Sequence, residues 1–203
     1  MPGDGSAVIR TLDPGRYAEG GHVLARAFLD DPLWAWLVPG ADVRRNRLPW
    51  LFERALADLR VATIEAAGEP LLGVATWIPP ATEVAPPPFR TVVGALARLR
   101  GGFPRLVRYG REAAKLELEV GAAVSWRLGG IGVEPALQGQ GHGSALLRRG
   151  FERADAAGLP VVLLTSNPAN VGFYEQHGFE VAAERRLPSS GPPGWAMVRS
   201  GRH

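Results

Sequence analysis

The chain contains no cysteine. That one absence removes disulfides, cysteine-based metal sites and a thiol acyl-enzyme intermediate, so any acyl group that moves passes most simply from donor to acceptor directly. Lysine is almost missing as well: Lys115 stands alone among 203 residues. No Gly-x-x-x-x-Gly-Lys-Ser/Thr loop for a nucleoside triphosphate exists. No apolar run approaches the roughly 18 residues of a membrane span. Met-Pro-Gly-Asp-Gly-Ser at the N-terminus has neither the basic start nor the apolar core of a signal peptide, so a cytoplasmic protein with no membrane partner is expected. Internal repeats and basic blocks interleaved with aromatics are also lacking. The net charge of +3 is scattered over arginines in pairs such as Arg44-Arg45, Arg148-Arg149 and Arg185-Arg186, which suit solvated faces better than a nucleic-acid surface.

What is present fits one globular domain over residues 1–203, with 46% hydrophobic and 21% charged residues. Val8–Leu12 has strand character and is followed by a helix through His22–Leu29, stopped at Asp30-Asp31-Pro32 because the residue before proline leaves the helical region. A longer helix is predicted over about 42–60, then an antiparallel hairpin of 61–66 and 71–78. Residues 79–88 are a proline-rich loop, and 89–120 carry helical periodicity interrupted at Gly101-Gly102 and Pro104. This predicts two or three helices inserted at about 80–121 rather than a separate domain. The later half is predicted as strand 126–133, helix 140–157, strand 159–165, a short helix from Ala169 to about Gln176 ended by Gly178, and a closing hairpin of 179–187 and 194–199. The uniformly apolar 159–165 run suits a strand buried on both faces, as in parallel pairing.

Chemistry concentrates at Gln138-Gly-Gln-Gly-His-Gly143. Glycines on alternate positions let the backbone approach a ligand closely. The loop opens the 140–157 helix, whose unpaired N–H groups and positive dipole end favour an anion. A dinucleotide fingerprint fits poorly, since the spacing is Gly-x-Gly-x-Gly and the preceding strand is not the chain's first. About 25 residues on comes Asn167-Pro-Ala-Asn-Val-Gly-Phe-Tyr-Glu-Gln-His-Gly-Phe179, in which Asn170 and Tyr174, four apart, share one helix face.

Gln138-x-x-Gly141-x-Gly143 followed by Asn170 and Tyr174 resembles the GNAT superfamily of acetyl-CoA-dependent N-acetyltransferases. The resemblance is strong over Trp126–Arg199. More weakly, Leu24–Pro32, Gly73–Pro79 and Gly191–Arg199 resemble the puromycin N-acetyltransferase branch, which acetylates amines of small molecules, antibiotics among them. The resemblance implies an α/β acyl-CoA fold: a mixed central sheet of about seven strands with a splayed parallel pair, flanked by helices. It implies acetyl-CoA as acetyl donor, with no metal, and a small-molecule amine as acceptor, in a monomer or homodimer. Main-chain groups of Ile131, Gly132 and Val133 would meet the pantetheine arm. Gln138, Gly139, Gln140, Gly141, His142, Gly143 and Ser144 would hold the pyrophosphate. Asn170 and Phe173 would flank the sulfur, and Tyr174 would protonate the departing thiolate, a task suited to a phenol of pKa about 10.

Two positions depart from relatives. Ser125-Trp126-Arg127-Leu128 stands where many have a more aromatic run, and Leu164 stands where many have Glu. The acceptor end is thus less determined than the donor end. A primary amine must lose a proton before attack; the candidate bases are Asp30, Asp31, Glu119 and His22, although Asp30-Asp31-Pro32 is equally a plain helix stop. His142 is expected to face solvent. Trp34, Trp36, Trp77 and Trp126 either line an acceptor pocket or pack in the core. A catalytically silent CoA-binding module, a nucleotide-binding enzyme and a protein or peptide acetyltransferase are the competing readings.

Overall fold

A computed structural model describes residues 7–59, 62–80, 102–188 and 190–201, with the side chains of residues 102 and 103 left aside. In chain order its elements are β1 (Ile9–Thr11), α1 (Tyr17–Ala27), α2 (Pro32–Leu37), α3 (Ala41–Asp58), β2 (Thr63–Ala67), β3 (Gly73–Ile78) and α4 (Gly102–Glu119). Then follow β4 (Trp126–Val133), α5 (His142–Ala156), β5 (Val161–Thr165), α6 (Ala169–Glu175), β6 (Glu180–Arg186) and β7 (Pro193–Arg199). The seven strands form one mixed sheet in the order β1-β2-β3-β4-β5-β7-β6. Only β4 and β5 run parallel.

Alternation along the strands sends side chains to two opposite faces. Ala67, Ala75, Trp77, Val161, Leu163 and Met197 bury against Leu146, Leu147, Phe151 and Ala154 of α5 and Tyr174 of α6. Ile64, Ala66 and Val74 turn the other way, against Val23 and Leu24 of α1 and Leu56 of α3. Farther along that second face, Leu116 of α4 packs on Ala196, Leu187 and Leu164. The stretch α2 lies between these groups, with Leu37 buried against Leu48 and Leu51 of α3 and Leu106 of α4. Helices thus cover the sheet on both sides, α5 and α6 on one, α1, α3 and α4 on the other.

Two expectations change. α1 ends at Ala27, ahead of the expected stop, with Phe28 as its C-cap, and Asp31 instead starts α2: its side chain accepts from Leu33 N at 2.9 Å and Trp34 N at 3.4 Å, a proper N-cap ahead of Pro32. In the segment predicted as two or three helices, residues 102–119 form a single helix that runs through Pro104. Proline is tolerated there because the first turn has no N–H bond to lose. Residues 81–101 of that segment lie outside the described residues.

Candidate active site

The parallel pair is short. Trp126, Arg127 and Leu128 pair with Val161, Val162 and Leu163, after which β4 continues to Val133 beside β3 alone and β5 to Thr165 beside β7. The sheet opens at its centre, and one edge of β4 from Gly129 to Val133 faces the gap.

A bulge decides which main-chain groups point there. Thr76 pairs with Gly130 and Trp77 with Leu128, leaving Gly129 without an opposite residue. Successive residues of a strand aim their N–H and C=O groups at opposite edges, and an extra residue reverses the alternation. The reversal is visible: Trp126 N donates toward β5, to Pro160 O at 2.9 Å, whereas Glu134 N, an even number of residues on, donates toward β3, to Leu72 O at 2.8 Å. Ile131 and Val133, at odd steps from Glu134, therefore turn their amide groups into the gap. The Val133 carbonyl is met there by the Gln138 side-chain amide at 3.1 Å.

The glycine loop lies at the mouth of the gap. Gln138, Gly139, Gln140 and Gly141 are exposed, and Gly139 and Gly141 adopt φ of +76° and +87°, a region costly for any residue with a Cβ. No atom lies within 4 Å of where a Cβ would stand at either glycine, so it is the backbone turn, not crowding, that demands glycine, and the space before the loop is open. Gly141 caps α5 with no side-chain bond to its first turn, leaving the N–H donors of that turn for a ligand. Ser144 is half-buried in that turn. His142, expected to face solvent, is instead 7% exposed and its Nδ1 is buried without a partner among the described residues. Position one of this helix turns its side chain down onto the core instead of out with the loop.

Opposite the loop, α6 presents Tyr174, 6% exposed and edge-on to Phe179 with ring centroids 5.7 Å apart. Phe173 is half-buried, and its ring tip would come within 3.3 Å of a Cβ on Gly143, so α6 packs directly against the loop. Asn170 is half-buried on the same helix. Burial pushes the Tyr174 phenol well above its usual range, and the Asp31 carboxylate adds to the rise. The influence of Asp31 extends to a second phenol, Tyr109 of α4. There burial again leads, Ser166 opposes it, and Glu117 and Asp31 add to it. Asp31 itself is raised by burial against the two N–H bonds of its cap. For both phenols burial is the leading cause of the rise, and the Asp31 charge acts in the same direction.

The remaining predicted bases lie elsewhere. Asp30 is largely exposed, 3.6 Å from Arg44. Glu119 pairs with Arg185 of β6 at 2.8 Å, both about half exposed. His22 is exposed on α1. A carboxylate that the sequence did not single out, Glu117, is partly buried: it accepts from Arg127 Nη1 at 3.1 Å, and burial raises it against the pull of Arg127. Of the four tryptophans, Trp77 is fully buried beneath α5 and belongs to the core. Trp34 packs edge-on to Phe52 at 5.0 Å, Trp36 lies under the Arg105 guanidinium at 5.6 Å, and Trp126 packs half-buried against the main core.

Among the described residues no group of three or more His, Cys, Asp or Glu side chains is arranged to hold a metal, and no helix is long and apolar enough to cross a membrane.

Known proteins agree with this geometry. The acetyltransferase (GNAT) domain family matches residues 95–181. An acetyltransferase from Corynebacterium glutamicum, described as histone acetyltransferase HPA2 and related acetyltransferase, superposes with a TM-score of 0.69 at 22% identity, covering 98% of both chains. Arylalkylamine N-acetyltransferase 2 from Aedes aegypti does so at 0.63 and 13% identity, over 95% of this chain and 98% of that one. A GNAT family acetyltransferase from Brucella melitensis, solved with acetyl-CoA, gives 0.52 at 19% identity, over 95% and 86%. The chain has the GNAT fold, and its residues 95–181 match the acetyltransferase (GNAT) domain family.

Proposed function

We propose that the protein is an N-acetyltransferase that passes an acetyl group from acetyl-CoA directly to the primary amine of a small molecule. The observation that carries this reading is the opening between β4 and β5, with a glycine-loop helix start at its mouth and a buried tyrosine on its flank. The residues present fit acetyl-CoA. The open space before Gly139 and Gly141 and the free N–H groups of the first α5 turn suit a pyrophosphate. The amide groups of Ile131 and Val133 suit the two amides of the pantetheine arm, Gly132 between them adds no side chain to crowd it, and Asn170 and Phe173 lie toward the sulfur. Acetyl-CoA supplies an activated thioester, and the rest is done by the chain.

Tyr174 keeps its proton throughout the neutral range, because burial and Asp31 both oppose its ionisation. It therefore serves as an acid and not as a base, giving its proton to the sulfur as the C–S bond breaks. The absence of cysteine fits direct attack with no acyl-enzyme. The acceptor class rests on the resemblance to the puromycin branch. The neighbours themselves divide between types: one is named for a ribosomal-protein alanine acceptor and another for arylalkylamines. We take residues 1–203 as one acetyltransferase domain acting in the cytoplasm.

A thiol-release assay of acetyl-CoA against primary amines, puromycin, tyramine and an aminoglycoside included, tests the reading. Turnover with at least one of them is expected, and Tyr174→Phe should lower kcat by about 10-fold or more while acetyl-CoA affinity stays within about 2-fold. Unchanged kcat in Tyr174→Phe would remove the acid role. Acetyl-CoA binding with no turnover of any amine or peptide would favour a silent CoA-binding module.

A further inference from the structure

β6 stands at the edge of the sheet, with β7 on one side and no strand on the other among the described residues. All of its residues are exposed except Ala183, which is half-buried, so the strand adds little to either core. A bare edge of this length is a template for a further strand. Val181 pairs with Met197 and Ala183 with Ala196, which leaves Ala182 as a bulge and confines the regular part of the strand to residues 183–187. Leu187 N donates to Pro192 O at 3.1 Å, so Leu187 turns its amide toward β7. By alternation Ala183 and Arg185 do the same, whereas Glu184 and Arg186 turn their N–H and C=O groups outward. Pro193, opposite Arg186, has no N–H, as suits a pair that exchanges none.

The side chains of Glu184 and Arg186 share the α5 face of the sheet, since Glu184 lies opposite Trp195 of the main core. Arg186 Nη1 donates to Gly191 O at 3.3 Å, and Glu184 has no partner among the described residues. Outward amides meet outward amides, so a second copy turned about a two-fold axis has three registers within 183–187. They set Glu184 on Glu184, Arg186 on Arg186, or each Glu184 on the other copy's Arg186. The first two place like charges directly opposite, which destabilises. The third makes two opposite-charge pairs and four main-chain hydrogen bonds. An edge guarded by charges of one sign repels its own copy, whereas here opposite signs stand two residues apart, in the order an antiparallel copy matches. Arg185 falls on the axis, on the α4 face, and each brings its own counter-charge, Glu119 at 2.8 Å.

We propose that the chain forms a two-fold dimer by antiparallel pairing of β6 with β6 of a second copy, Glu184 of each lying opposite Arg186 of the other. The axis stands perpendicular to the sheet, so the two seven-stranded sheets join as one with their helices on matching faces. β7 and β6 separate β5 from the axis, so the opening between β4 and β5 stays free in both copies. Turnover per chain is therefore independent of dimerisation, and the proposal stands apart from the acetyltransferase reading. Pro188 follows the regular run and has no N–H to lengthen the ladder. The contact is thus short, below the roughly 1,200 Å² of a stable interface. Association is weak, with a Kd on the order of 100 µM, and sensitive to salt.

The test is sedimentation velocity from about 10 µM to about 1 mM on wild type, Glu184→Arg, Arg186→Glu, the variant carrying both changes, and an equimolar mixture of the two single variants. Both side chains are exposed, so melting temperatures within about 2 °C of wild type are expected and serve as the folding control. Wild type should dimerise with rising concentration and dissociate in about 1 M salt. Each single variant should associate at least about 10-fold more weakly, because like charges then face each other. The double variant should regain wild-type association, since the exchanged charges meet again. The mixture should form a heterodimer, one strand basic and the other acidic at both positions. A monomer throughout the concentration range would overturn the proposal, as would a dimer indifferent to both single reversals. Failure of both the double variant and the mixture to associate would overturn the assigned register.

Discussion

Tyr174 illustrates how a single side chain acquires a role from its surroundings. A phenol in water ionises near pH 10. Here Phe179 stands against one side of it, solvent is nearly excluded, and the negative Asp31 adds to the effect of burial. All of these disfavour phenolate, so the proton stays available for a leaving group. The same shift has a consequence for stability. A group whose folded-state pKa is raised contributes stability that is complete below its unfolded pKa and is lost as pH rises toward the folded one. Tyr109 shifts in the same direction. Wild-type stability should therefore fall above about pH 10, and Tyr174→Phe should flatten that fall relative to its own neutral value. Denaturant melts at neutral pH and at pH 11 check this, and equal slopes for the two proteins would argue against a buried phenol.

At the level of elements, the segment joining α1 to α3 packs between α3 and α4, and Arg44 holds it there. The side chain is 6% exposed and donates to Leu29 O at 2.6 Å, Val38 O at 2.8 Å and Pro39 O at 3.1 Å. Three carbonyls on one guanidinium tie both ends of α2 to α3, and each bond to a charged donor is worth about 1.5–3 kcal/mol. Arg44→Met should lower unfolding stability by about 3 kcal/mol or more and, by loosening Asp31, raise acceptor KM more than acetyl-CoA Kd. A KM unchanged alongside that stability loss would detach α2 from the acceptor side.

The sequence paired Arg44 with Arg45 as a solvated face; only one of the two is solvated. Helix periodicity reveals that a face exists, but not that a cation is needed inside it. The bulge at Gly129 escaped notice for a related reason. Leu128, Ile131 and Val133 mark a strand, yet a Gly-Gly pair within it leaves open which residue is extra until β3 is laid alongside. Conversely, Glu117 was accessible to sequence reasoning. Leu106, Ala113 and Leu116 form the buried stripe of α4, and Glu117 adjoins it, whereas Glu119, the residue singled out, points away to Arg185. The donor half was the more legible. Its glycines and its tyrosine are dictated by local backbone and chain order, whereas the pairing of Glu117 of α4 with Arg127 of β4 joins elements that only the fold brings together.

For the molecule as a whole, the decisive feature is a sheet that parts at its middle. Pairing between β4 and β5 ends after three residues on each strand, and helices on both faces keep the two halves together without closing the opening. On one face the gap meets the start of α5 and the buried flank of α6. On the other lies α4, whose Leu116 and Tyr109 pack with Leu164 of β5. A donor with a phosphate end and a thioester end suits the first face.

Calorimetric titration of acetyl-CoA and, separately, ATP into wild type and Gly141→Asp tests this directly. Aspartate at Gly141 would place a side chain in a left-handed turn at φ +87° and a negative charge against the pyrophosphate. The prediction is one acetyl-CoA site in wild type, weakened by about 100-fold or more in Gly141→Asp through strain and like charge, with ATP bound far more weakly. Tight ATP binding without acetyl-CoA binding, or acetyl-CoA affinity indifferent to Gly141→Asp, would contradict it.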